Sequence, residues 1–209
     1  MRTGPERRRH LRFLVLSCFA ALTLLGAAVV YAITGPPGDH LWRGKPYPVA
    51  DPDTVAERVR DESRRIHTAL GAAADRKPVF NSLRATSCRA RAMIATERID
   101  RTAVGVRHVW EVDGFDGRTA RTAIDRAGER LGGHGWKNTF RYDDEVNGRG
   151  GAGGRYERSD TGYTLTLQWV ASRRTVQIDL ETPCRKFPAG HPKADDGPLE
   201  WVPESPLPS

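Results

Sequence analysis

The longest apolar stretch of the chain is FLVLSCFAALTLLGAAVVYAI, residues 13–33, and no charged residue occurs between positions 13 and 38. At 1.5 Å per residue, roughly 20 such residues cross a bilayer core. The pattern therefore predicts a transmembrane helix over 13–34, in contact with membrane lipid. Five arginines (2, 7, 8, 9 and 12) precede the run, and the following flank, 39–45, is nearly balanced. Arginine excess stays cytoplasmic, which places the C-terminal bulk outside. Residues 1–12 are then a cytoplasmic basic segment. A cleavable signal peptide is the rival reading, with small residues ending at Ala32, and it would make the protein secreted. The run exceeds the 7–15 residues of an ordinary signal core, which favours retention. Val15-Leu16-Ser17-Cys18 is a poor lipobox, because too few apolar residues precede Cys18.

Beyond the apolar run the periodicity changes. Residues 35–53 hold five prolines and read as a stiff linker. Thr54 and Glu57 have capping-box spacing, and Val55, Val59, Ile66 and Leu70 follow at helical intervals up to Gly71. Residues 88–96 and 106–113 alternate with period two. A second helix is expected over about 117–131, with Asp116 as its cap and Ala120, Ile124, Ala127 and Leu131 on one stripe. Three further strands follow at 136–143, 163–170 and 175–182. The last two are joined by Ser172-Arg173-Arg174 as a hairpin. The order is α-β-β-α-β-β-β. Clean alternation argues for an antiparallel sheet with one wet face. The expected fold class is α+β: a two-layer sandwich of about five strands with two helices on one face, spanning 54–187. A proline-rich tail, 188–209, completes the chain.

An exported compartment changes the meaning of Cys88 and Cys184. Two cysteines outside the cytoplasm most often pair. If the first and last strands are antiparallel neighbours, the start of one lies beside the end of the other. A reactive pair would call for Cys-x-x-Cys spacing, which is absent.

Charge adds less than its total suggests. The chain carries a net +7 with 28% charged and 38% hydrophobic residues. Residues 1–12 supply +4 of this, and the tail is −3. No basic run or recognisable nucleic-acid module is present, so nucleic acid is not an expected partner. About 150 residues remain for the exported part, enough for one core.

Candidate chemistry is sparse. No two histidines have metal-ligand spacing, so no metal or cofactor is expected. His108 lies between Val106 and Trp110 on an inward face and reads as a hydrogen-bonded core histidine. Asp143 and Asp144 are strand neighbours and point apart. The glycine-rich stretch 148–154 lacks the lysine and hydroxyl residue of a phosphate loop and reads as a flexible hairpin. No nucleophile elbow occurs, so no catalytic residue is assigned. One possible binding face gathers the outward residues Arg89, Arg91, Arg107, Lys137 and Arg141. Such a surface would meet an anionic envelope polymer, lipid headgroups or an acidic protein.

Gly135-Trp136 after a helix, the strand Gly-Tyr-Thr-Leu-Thr-Leu (162–167) and the ending Thr-Pro-Cys (182–184) form a set. On these motifs, residues 88–185 resemble functionally unassigned exported small-domain proteins of high-GC actinobacteria, membrane-anchored or lipoprotein in type. That resemblance implies an α+β domain with a structural disulfide and carries no catalytic residues. The functional expectation is a membrane-tethered extracytoplasmic binding module without enzymatic activity. An accessory subunit of a membrane complex is the second reading, and an enzyme with an unrecognised site is the third.

Overall fold

The computed structural model describes residues 46–71, 76–89, 91, 98–144 and 150–191, together with 22, 23, 25–27, 29 and 30. The chain divides into two compact units, Met1–Pro46 with Arg89–Arg98, and Tyr47–Cys88 with Ile99–Ser209. Of the first unit's apolar segment, the described positions are helical, and Leu22, Leu25, Val29 and Val30 are exposed. No helix among the described residues is long and apolar enough to cross a membrane. The remainder of 13–34, most of the linker, the site after Ala32, positions 90 and 92–96 of the expected first strand, and the tail from 192 lie outside the described residues.

The second unit is α+β. Its elements are α1 (Pro52–Ala69), β1 (Phe80–Arg89), β2 (Ile99–Val112), α2 (Gly117–Gly132), β3 (Trp136–Asp143), β4 (Gly151–Arg158), β5 (Tyr163–Val170), β6 (Thr175–Glu181) and β7 (Arg185–Lys186). The seven strands form one sheet in the order β1-β2-β6-β5-β4-β3, with β7 also paired to β2. The pairings β2–β6, β2–β7, β3–β4, β4–β5 and β5–β6 are antiparallel. Residues 48–50 run beside β7, where Ala50 donates to the Lys186 carbonyl and Lys186 to that of Pro48. The fold thus begins inside the proline-rich stretch.

Both helices start on aspartate. Asp51 caps α1, its carboxylate accepting Thr54 N–H at 2.9 Å, and Pro52 occupies the first turn, where its missing donor costs nothing. The helix therefore starts before the Thr54 expected from the capping-box spacing. Asp116 caps α2 as expected, accepting Thr119 N–H at 2.8 Å. Gly71, at φ +71°, ends α1 in the left-handed region that a residue with a Cβ avoids.

The helices pack on one another, α1 against β2 and α2 against β3, β4 and β5. Under them lie Val106, Trp110, Leu165, Leu167, Ile178 and Leu180, all nearly inaccessible. β5 alternates in burial along its whole length, as its sequence demands. Two strands depart from the sequence pattern. β1 starts at residue 80, not 88, because its inward row includes polar Asn81. β4 uses Gly151, Gly153 and Gly154 as strand residues where a flexible hairpin was expected. A Cβ on Gly153 would stand 3.1 Å from the Gln168 Cα and 3.0 Å from the Tyr142 hydroxyl, so glycine permits a close approach of neighbouring backbones.

Cys88 and Cys184 form a disulfide with Cα atoms 6.0 Å apart. The route differs from the sequence argument. β1 and β6 are not neighbours, because β2 lies between them. Strands two places apart stand about 9.5 Å from each other. Cys184 closes that gap from the break at 182–184, between β6 and β7. Gly105 of β2 lies beneath: a Cβ there would meet Thr86 Oγ1 at 2.6 Å and Cys184 Sγ at 4.0 Å.

Candidate functional site

The five basic residues grouped from sequence do not share one surface. Arg107 of β2 lies on the sheet face away from the helices, where its guanidinium grips Asp179 of β6, Nε to Oδ1 being 2.8 Å. That hydrogen bond raises the arginine's pKa further. Lys137 lies opposite Glu157 in the β3–β4 register. Arg141 points the other way and pairs with Asp125 of α2. The cause is a bulge: the β3–β4 register slips between Asn138 and Phe140. One extra residue reverses which face later side chains take. Phe140 is consequently 60% exposed and stacks near Tyr142. Arg89 ends β1, Arg91 lies beyond it, and both belong to the other unit.

His108 is where the sequence placed it. The ring is wholly buried and stacks on Trp110 at 4.3 Å. Nε2 stands 2.8 Å from Asn81 Oδ1 and Nδ1 stands 2.8 Å from Ser63 Oγ. With Asn81 presenting an oxygen, Nε2 donates, and Nδ1 accepts from the Ser63 hydroxyl. Burial pushes the pKa down to about 3, so the ring is neutral. Hydroxyl, imidazole and amide follow each other as in a nucleophile relay. However, Ser63 has no exposed surface, and no described carboxylate contacts the ring. This trio can hold α1 on β2, but it cannot meet a substrate.

The adjacent Glu62 is 4% exposed. Its carboxylate accepts from Trp136 Nε1 at 2.9 Å, Arg158 Nη1 at 3.1 Å and Arg65 Nη1 at 3.1 Å. An open cleft of about 1140 Å³ lies above it, lined also by Arg64, Arg130 and His134. The acids of this cleft, Asp61 and Glu62, are already paired.

Arg130 borders a second, smaller groove of about 330 Å³ between the end of α1 and the exposed row of α2. Its basic residues are Arg76, Arg118, Arg126 and Arg130, its floor is Leu70, Phe115 and Ala123, and no acidic residue lines it among the described residues. Two of the arginines are pinned. Arg76 donates to the Asp113 carbonyl at 2.6 Å and lies over the Phe115 ring at 4.8 Å. Arg130 donates to the Ala69 carbonyl at 3.2 Å, where α1 ends. Arg118 and Arg126 make no ion pair with a described carboxylate. Sequence reasoning overlooked this groove, although Arg118, Thr122, Arg126 and Arg130 recur every four residues on one helix side. The apolar stripe of α2 was legible, and the row beside it drew no reading.

Asp51, Asp53 and His191 bring ligand atoms within 4.8 Å of one another, but Asp51 is committed to capping α1. No family model, curated protein or solved structure matches the chain.

Proposed function

We propose that the protein is a membrane-tethered module that binds an anionic partner outside the cytoplasm and catalyses no reaction. The apolar segment 13–34 and its arginine flank support the tether and its orientation. The Cys88–Cys184 bridge suits an oxidising compartment. The observation that carries the binding reading is the contrast between the two faces. On the sheet's outer face Arg107 is held by Asp179 and Arg173 by Glu111. On the helix layer Arg118 and Arg126 project beside a groove and make no ion pair with a described carboxylate, the nearby Asp116 being bound to Thr119. Arginines outside ion pairs around a concavity draw anions and raise their encounter rate.

The test is partner capture by photo-crosslinking of the full-length protein in native membranes. Arg118→Glu with Arg126→Glu should abolish capture, and Arg107→Glu should leave it largely intact. Equal capture by all three proteins would remove the reading.

A further inference from the structure

We propose that the α1–α2 groove binds a phosphodiester group, with Arg118, Thr122 and Arg126 as its donors; this rests on the helix layer being the binding surface. All three side chains are exposed and line the groove. On α2 the spacing of four residues puts about 6 Å between successive members of the row. Arg118 and Arg126 can therefore reach toward Thr122 from opposite ends, converging on one anion between them. A carboxylate accepts hydrogen bonds within its own plane. A tetrahedral phosphate accepts from several directions, which suits two opposed guanidinium forks and a hydroxyl. Arg76 and Arg130 add fixed positive charge at the margins, both held by backbone carbonyls and by no acid among the described residues.

The floor selects further. Leu70, Phe115 and Ala123 present an apolar shelf beside the arginines. A bare inorganic ion leaves that shelf wet, whereas a substituent on phosphorus covers it. The groove's volume of about 330 Å³ suits one phosphate with a small organic group. A lipid headgroup and a phosphate-linked polymer both present this chemistry.

Phenylglyoxal footprinting of the full-length protein in alkyl-maltoside micelles, which contain no phosphate, tests the proposal, with exposed Arg155 as internal reference. Soluble glycerophosphoglycerol should protect Arg118 and Arg126, and malonate should not. Its affinity should fall at least about tenfold in the Arg118→Gln/Arg126→Gln variant, given the worth of a charged hydrogen bond, while Thr122→Val weakens it less. Protection in nanodiscs containing phosphatidylglycerol, without added ligand, would assign the source to membrane lipid. Protection by the soluble diester alone would assign it to a polymer. Absence of protection in both arms, or equal protection by malonate, overturns the proposal. If capture in native membranes still depends on Arg118 and Arg126 in that case, the binding surface stands and only the ligand class falls.

Discussion

Glu62 on α1 accepts the indole N–H of Trp136 on β3 at 2.9 Å, while the next residue, Ser63, bonds His108 on β2. Two consecutive side chains of one helix thus reach strands four places apart in the sheet order. Glu62 also takes Arg158 of β4 and is almost fully buried. Glu62→Ala would strand a buried indole N–H and a partly buried guanidinium. The expected cost is about 3 kcal/mol. Glu62→Gln, which keeps an acceptor, should cost roughly half of that. Urea denaturation at neutral pH checks both, and equal losses for the two variants would mean that the carboxylate's charge carries the whole effect and the acceptor retained by glutamine contributes nothing.

Gly128 gives a case where local propensity and packing disagree. Alanine in a helix interior is favoured over glycine by about 1 kcal/mol. A Cβ at position 128 would nevertheless stand 2.6 Å from the Tyr156 hydroxyl and 3.2 Å from its ring carbon Cζ. Tyr156 is buried between α2 and β4 and has little room to retreat. Overpacking costs about 1–3 kcal/mol, so Gly128→Ala should destabilise on balance. Combining it with Tyr156→Phe removes the nearest atom and should recover part of the loss. A stabilised single variant in thermal denaturation would show that α2 can shift at this crossing.

The disulfide closes a separation of 96 residues. For a loop near that size the chain-entropy account gives about 4.7 kcal/mol as a ceiling, and removing a native bridge costs about 2–5 kcal/mol. The Cys88→Ala/Cys184→Ala variant should unfold at clearly lower urea, as should the parent under reductant. Coincident curves for oxidised and reduced protein would contradict this.

What the sequence revealed follows from where side chains do the specifying. β5, β6 and α2 have apolar rows that match their periods, and they were found nearly to the residue. The Cys88–Cys184 pairing was also legible, although from compartment and not from strand order. β1 was displaced because its inward row carries Asn81, whose purpose is visible only once His108 stands opposite it. β4 was missed because glycine in a strand means close backbone approach, and a sequence does not contain the neighbour that approaches. The β3 bulge escaped for the same reason, and it moved Arg141 off the face assigned to Lys137. The arginine row of α2 lay in plain view, but its groove depends on where α1 ends.

His108 makes the acid stability of the fold a test of its neutral state. Its folded pKa is about 3 against 6.5 in an unfolded chain, lowered by burial. Above pH 6.5 both states hold a neutral ring, and the group contributes no pH dependence. Below it the unfolded chain gains a proton that the folded one refuses, so stability falls as pH drops from 6.5 toward 3. The limiting slope is about 1.4 kcal/mol per pH unit. Asp51 and Asp116 act lower: hydrogen bonds from Thr54 and Thr119 hold their pKa values below 3.8, so their contributions fade only beneath that value. Replacing His108 with glutamine removes the titrating group while keeping polar atoms near Ser63 and Asn81. Wild type should lose stability between pH 6 and 4, and His108→Gln, less stable at neutral pH, should show a flatter profile over that window. Parallel profiles for the two proteins would mean that the ring charges within the fold and is not sealed in it.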